Sequence, residues 1–157
     1  MRHLILSLTP IALTPLTALG FEIEDRRLFG ASDGAEAGAV LKIISTTDVG
    51  FFAPIITSFR AENPALSVDY ITVSTTELMR AIHSERAEFD VAVSSAMDLQ
   101  TKIANDELMR AHRSGMTQVL PDWARWRDHV FAFTQEPAAI VINRAAFAGL
   151  DIPQSRQ

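Results

Sequence analysis

Hydroxyl and carboxyl side chains are concentrated in three short turns of the sequence. The turns read Ser45-Thr46-Thr47-Asp48, Ser74-Thr75-Thr76-Glu77 and Ser94-Ser95-Ala96-Met97-Asp98. Each turn precedes a helical pattern, and the first amides of a helix have no partner within it and attract negative charge. Hydroxyl groups and free amides together favour recognition of a solute over catalysis. The three turns therefore predict a binding site for a small, oxygen-rich and anionic solute.

An apolar run stands before each turn, and a helical pattern follows it. The predicted strands cover 41–45, 66–72 and 89–93, and the helical patterns run over 49–62, to about Arg86 and to about Met109. Strand, polar turn and helix in succession indicate an α/β protein with an open sheet, whose ligands bind at the carboxyl ends of the strands. We therefore expect the three turns to line one edge of one sheet.

Some of these polar groups are suited to capping helices. Ser74-x-x-Glu77 and Ser95-x-x-Asp98 match the capping box, in which a hydroxyl accepts a hydrogen bond from an amide of the first helical turn. Asp48 is also suited to capping the first helix, and Glu136 to a solvated loop, so both alternatives stay open for these carboxylates. The predicted ligand-binding residues are Thr46, Thr47, Asp48, Thr75, Thr76, Ser94, Ser95 and Glu136.

The composition is that of one globular, acidic domain. The chain has 157 residues, a formal net charge of -5 and no cysteine. Only Lys42 and Lys102 are lysines and the arginines are scattered, so nucleic acid is not an expected partner. The sequence has no Gly-rich phosphate loop, no nucleophile elbow and no helical pair of metal-binding histidines. We therefore predict neither an enzyme nor a bound metal or cofactor.

The first twenty residues have the layout of a secretory signal peptide. A short basic start precedes the uncharged apolar run Leu4–Leu19, and Ala18-Leu19-Gly20 gives the small-x-small ending before the expected cleavage point after Gly20. Pro10 and Pro15 disfavour the alternative of a membrane-spanning helix. The absence of cysteine leaves no thiol for a lipid anchor. We expect a signal peptide over 1–20 and a periplasmic protein without a membrane anchor.

The remaining segments have weaker patterns. Residues 21–39 are charged and then Gly/Ala-rich, which indicates a flexible leader before the sheet. Residues 121–126 contain Trp123 and Trp126 and are typical of an exposed turn or short helix. Two apolar runs, 130–134 and 138–142, are predicted as strands, and 144–148 as a brief helical stretch.

Taken in order, several segments resemble the N-terminal half of bacterial extracellular solute-binding proteins of family 1, and within it the ferric-iron-type branch that feeds ABC importers. The segments are IISTTDVGFFAPIITSFRAENP, VDYITVSTTELMRAI, FDVAVSSAMDLQTKIANDE, LPDWARWRD, FAFTQEPAAIVINR and GLDIPQS. The resemblance implies a type II periplasmic-binding-protein-like fold, with an open doubly wound sheet in each of two lobes. It implies an N-terminal lobe over 40–137, and over 138–157 the first crossover strand and the start of a second, missing or truncated, lobe.

The resemblance to the iron binders is incomplete at the ligand positions. In that branch a histidine of the first turn, a glutamate of the second turn and tyrosines of the second lobe hold the iron. Here the first turn has no histidine, and Tyr70, the only tyrosine of the chain, falls on a predicted strand. Bare ferric iron is therefore not the expected ligand, whereas a ferric complex stays among the candidate solutes.

The resemblance implies the substrate-binding component of an ABC importer. Such a protein is expected to be a monomer that captures a small molecule and delivers it to an inner-membrane permease. Two alternatives stay open: a periplasmic ligand-sensing subunit for a two-component membrane kinase, and a truncated remnant without function.

Overall fold

The computed structural model describes residues 20–31, 38–136 and 141–151, in two compact units that meet at Arg110 and Ala111 in the sequence. The first unit contains strands β1 (Asp25–Phe29), β2 (Val40–Ser45), β3 (Ser67–Thr72) and β4 (Val91–Val93). Its helices are α1 (Val49–Glu62), α2 (Thr75–Met79), which continues as a π-helical turn over Arg80–Ser84, and α3 (Met97–Asn105). The second unit contains α4 (Gly115–Gln118), a 3-10 helix (Asp122–Ala124), β5 (Arg125–Trp126) and β6 (Val130–Phe131).

The four strands of the first unit form one mostly parallel sheet in the order β1-β3-β2-β4. Strand β2 runs parallel to both of its neighbours, and Ser45 is aligned with Thr72 on one side and with Val93 on the other. The predicted α/β class and the parallel arrangement of the three strands are confirmed. Because the strands are parallel and in register, their carboxyl ends lie at the same edge of the sheet.

The sheet is covered on both faces because successive side chains of a strand point to opposite sides. On one face Ile43 and Tyr70 pack against Ile56 of α1. On the other face Ile44 packs in a cluster with residues of α2, the π-helical turn and α3. The later parts of the central strands are therefore apolar on both faces, at Ile43 and Ile44 of β2 and at Tyr70 and Ile71 of β3.

The interpretation of 21–39 as a flexible leader is wrong for β1. This strand pairs antiparallel with β3, and its Phe29 side chain is buried in the cluster that contains Val68. The Arg26 guanidinium binds both carboxylate oxygens of Asp69, at 2.9 and 2.7 Å. The charged sequence of β1 concealed a strand because edge strands tolerate charge, and only one of its five residues is buried.

Several predicted boundaries differ from the structure. Helix α1 has its predicted bounds, but α3 ends at Asn105, short of the predicted end near Met109. Glu107 adopts a φ of +60°, outside the helical region, so the helix cannot continue through it. Strand β4 begins at Val91, two residues later than predicted.

The later part of the chain contains less strand than expected. The predicted strand 130–134 is limited to Val130–Phe131, paired with β5. Residues 137–140 lie outside the described part, and residues 141–143 of the predicted crossover strand have no regular structure. Val141 is 93% exposed, so it lacks the packing that a strand requires. Residues 144–149 form turns, whereas Trp123 lies in a short helix as predicted.

Most of the predicted signal peptide, residues 1–19, lies outside the described residues. In the described ranges, no helix combines the length and apolar character needed to cross a membrane.

Candidate functional site

The three polar turns meet at the carboxyl edge of the parallel strands. Backbone hydrogen bonds continue from the sheet into the turns, from the Thr46 amide to the Val93 carbonyl (3.0 Å) and from the Val73 amide to the Ser45 carbonyl (2.9 Å). Across the first and third turns, Thr46 Oγ1 donates to Ser94 Oγ at 3.2 Å. The prediction that the turns share one edge is therefore confirmed. We call this edge, formed by 45–48, 72–76 and 93–96, the rim.

Two buried side chains form hydrogen bonds with the backbone of the first turn. Ser45 Oγ accepts a hydrogen bond from the Thr47 amide (2.9 Å), and the Tyr70 hydroxyl donates to the Thr47 carbonyl (2.8 Å). Burial raises the pKa of Tyr70, a hydrogen bond with Ser45 opposes the rise, and the charge of Asp48 adds to it. The phenol is therefore protonated at neutral pH and serves as a donor. Both backbone groups of Thr47 are occupied, and its side chain is left for another partner.

The hydroxyl groups of the rim fall into two sets. Thr46 and Ser94 bond to each other, and Ser94 Oγ also accepts from the Ala96 amide at 3.1 Å. The hydroxyls without a hydrogen bond to any residue in the described ranges are those of Thr47, Thr75, Thr76 and Ser95. All four side chains are at least partly accessible to solvent. This second set is the part of the rim that is free to contact a solute.

Capping uses fewer of the polar groups than the sequence suggested. Ser74 Oγ accepts from the Glu77 amide (3.2 Å), as predicted for the second turn. The Glu77 carboxylate, however, accepts from the backbone amide of Glu22 at 2.8 Å. The predicted cap at Ser95 is wrong, because α3 begins one residue later and its N-cap is Ala96.

The N-termini of α1 and α3 both open onto the rim without a capping side chain. Asp48 occupies the N-cap position of α1, but its side chain makes no capping hydrogen bond. Two first-turn amides are already used, since the Phe51 amide donates to the Asp48 carbonyl (3.1 Å) and the Met97 amide to the Ser95 carbonyl (2.9 Å). The amides of residues 49, 50, 98 and 99 have no hydrogen bond to a described residue, and the positive ends of the helix dipoles favour a negatively charged group there. The exposed Asp48 carboxylate adds one acceptor to this set of donors.

Thr72 is a residue of the rim that the sequence did not single out. It is the last residue of β3, it is 4% exposed, and its hydroxyl has no hydrogen-bond partner within the described part of the chain. Alternation along the strand places its side chain on the same face as that of Tyr70. A buried hydroxyl without a partner is unfavourable, so Thr72 is a further candidate for solute contact. Its position as the final hydroxyl of a strand was the signal available in the sequence.

Glu136 is the one predicted ligand-binding residue outside the first unit, which contains the rim. It lies in the second unit, in an exposed segment without regular structure. Across residues 20–31, 38–136 and 141–151, no three His, Asp or Glu side chains come together in a group that could hold a metal ion.

Comparison with known proteins gives an informative likeness. No protein-family model matches the chain, and no curated protein matches it. Among solved structures, the chain is similar to the substrate binding protein of the ABC transporter from Agrobacterium tumefaciens, with 31% sequence identity and a TM-score of 0.62. The match covers 66% of this chain and 32% of that protein, so the chain spans about a third of its length. The likeness supports the expected relationship to solute-binding proteins, but not to their ferric-iron-type branch.

Proposed function

We propose that this chain carries the solute-binding rim of a periplasmic substrate-binding component of an ABC importer. The observation that carries the proposal is the meeting of three hydroxyl-rich turns at the carboxyl edge of β2, β3 and β4. This edge is where open α/β sheets bind their ligands. The likeness to the substrate binding protein of an ABC transporter supports the transport role.

The proposed ligand is a small, oxygen-rich anion, with a ferric complex as one form of it. Thr47, Thr75 and Ser95 donate hydrogen bonds to its oxygen atoms, and the N-termini of α1 and α3 accommodate its negative charge. Asp48 accepts from a hydroxyl or amine group of the solute. Because Ser45 and Tyr70 already fix the first turn, little ordering of that turn opposes binding.

In the proposed transport cycle, a second lobe closes over the solute and an inner-membrane permease receives it. Cleavage of the proposed signal peptide after Gly20 places the protein in the periplasm. Mass determination of secreted protein tests this step, with Phe21 as the expected first residue. Retention of residues 1–20 in the secreted form would contradict it.

A matched pair of threonine variants tests the rim. Calorimetry against phosphate esters, carboxylates, polyamines and ferric-anion complexes identifies the solute. Thr47→Val should then weaken its binding by about 3- to 10-fold, since one hydrogen bond nets about 0.5–1.5 kcal/mol. Thr57→Val makes the same chemical change on the surface of α1, where the hydroxyl donates to the Ala53 carbonyl, and should leave the affinity unchanged.

Two outcomes would argue against the proposal. The first is the absence of binding by any member of the panel. The second is equal affinity of Thr47→Val and Thr57→Val for the solute, which would place the binding site away from the rim.

A further inference from the structure

The second unit contains a cleft that none of the predicted site residues lines. Its volume is about 560 Å3, and its lining residues are Arg113, Gln118, Asp122, Arg125, Arg127 and Asp128. Three guanidinium groups here face two carboxylates. The surrounding stretch, 110–130, contains four arginines and two aspartates, a formal charge of +2 in a chain whose net charge is -5. We call this feature the arginine cleft.

Hydrogen bonds connect the two chain segments that line the arginine cleft, 112–113 and 127–128. Asp128 Oδ2 accepts a hydrogen bond from Arg113 Nε at 2.7 Å, and the Asp128 carbonyl accepts from the His112 amide, also at 2.7 Å. Arg127 and Asp128 form the hairpin between β5 and β6, with φ values of +50° and +58°. Residues with side chains rarely adopt this left-handed region, but two in succession are typical of the tight turns that connect β-hairpins.

Arg125 has unused binding capacity in the arginine cleft. Its side chain is only 32% exposed, and it makes no hydrogen bond with the residues that the structure describes. The Asp122 carboxylate is 4.0 Å away and fully solvated. A guanidinium has five N–H donors, and withdrawing it from water without a partner is unfavourable. Arg113 bonds to Asp128 through Nε alone, so its terminal nitrogens are also available.

We propose that the arginine cleft binds a small-molecule oxyanion bearing carboxylate or phosphate groups. The planar forks of Arg125 and Arg113 match the paired oxygens of such groups, and Arg127 adds a third positive charge. A bare cation is disfavoured because arginines outnumber the aspartates and Asp128 is already paired. The volume lies in the range of small-molecule sites, about 300–1,000 Å3, which favours a metabolite-sized ligand.

Tryptophan fluorescence can report on binding in this cleft. Its two tryptophans are Trp123 and Trp126, next to lining residues in the sequence, and the Arg127 guanidinium lies 5.4 Å from the centre of the Trp126 ring. The rim contains no tryptophan. Tryptophan fluorescence therefore responds to the arginine cleft, and this proposal does not rest on solute binding at the rim.

The test is a fluorescence titration of the 157-residue chain with inorganic phosphate and with citrate, at constant ionic strength maintained with chloride. We expect a saturable change with at least one of the two anions. Arg125→Gln should raise its dissociation constant about tenfold or more, because hydrogen bonds to charged groups are among the strong ones. Arg144→Gln removes the same charge from an exposed turn of the same unit and should have no effect. Thr47→Val at the rim should also have none.

Response to phosphate alone assigns the cleft to phosphate groups, and response to citrate alone assigns it to carboxylates. No saturable change with either anion would overturn the proposal, as would equal dissociation constants for Arg125→Gln and Arg144→Gln. Circular dichroism establishes that each variant is folded. If Arg125→Gln does not fold, Arg127→Gln replaces it with the same expected loss of affinity.

Discussion

The hydroxyl of Tyr70 donates a hydrogen bond of 2.8 Å to the backbone carbonyl of Thr47. Tyr70 is a fully buried residue of β3, whereas Thr47 belongs to the turn that follows the neighbouring strand β2. The core of the sheet thus determines the position of one turn of the rim. Any change that moves Tyr70 is expected to alter both the stability of the first unit and the geometry of its proposed site.

Tyr70→Phe should destabilise the chain by about 1–3 kcal/mol. The ring that packs near Phe52 is retained, but the Thr47 carbonyl loses its partner, and a part-buried acceptor without a hydrogen bond costs about this amount. Urea unfolding measures the free energy of unfolding of both proteins. Equal values for the two would show that water replaces the phenol at the carbonyl.

The same tyrosine predicts a loss of stability at alkaline pH. Burial raises the pKa of Tyr70 in the folded chain, whereas the unfolded chain titrates near its ordinary pKa of about 10. Above that pH the unfolded state releases the proton and the folded state keeps it, so the stability contributed by Tyr70 falls as pH rises from the unfolded to the folded pKa. Tyr70→Phe should remove this component.

Ultraviolet absorbance of the tyrosinate checks the prediction directly, because Tyr70 is the only tyrosine. The midpoint in the folded chain should lie above that in urea-unfolded chain. A folded midpoint at or below the unfolded one would contradict the expected effect of burial.

Thr72→Val should stabilise the chain in the absence of solute, by about 1 kcal/mol, since it removes a buried hydroxyl without a partner and keeps the shape of the side chain. Ser45→Ala is the contrasting variant, because the buried Ser45 hydroxyl holds the Thr47 amide and its loss should be destabilising. Thermal unfolding compares the three proteins. Destabilisation by Thr72→Val comparable to that by Ser45→Ala would indicate a bonded water at Thr72 Oγ1.

Phe29→Ala tests the unexpected strand β1. Phe29 is 8% exposed and packs in the core, so its truncation should cost about 3 kcal/mol or more. Leu28→Ala, one residue earlier, changes a side chain that is 65% exposed and should alter stability by about 0.5 kcal/mol or less. Similar effects of the two substitutions on urea unfolding would mean that the Phe29 side chain does not anchor β1 in the core.

Local patterns in the sequence were sufficient to predict β2 and α1. The strand is a short apolar run, and the apolar residues of the helix recur at helical spacing. The same patterns could not reveal β1, whose stability depends on pairing with a strand about forty residues away. In the candidate site, the turns were predictable from their composition. The roles of Tyr70 and Thr72 were not, because they depend on the register between β2 and β3.

The start of a helix is a second feature that the sequence did not define. Ser95 matches a capping sequence, yet α3 starts one residue further on, and the Ser94 hydroxyl bonds to the Ala96 amide instead. Sequence spacing cannot distinguish two adjacent hydroxyls that compete for the same few amides. The arginine cleft was equally hidden, since its residues converge only when the β5–β6 hairpin and the preceding loop are fastened together.

The strand order gives the two borders of the sheet opposite characters. At one border, β1 presents Asp25, Arg26 and Arg27, and inter-strand association with a foreign chain is hindered by such charges. At the other border, β4 is three residues long and begins with the half-exposed Val91, and among the described strands it pairs with β2 alone. If a further strand is added to this sheet, we therefore expect it beside β4 and not beside β1.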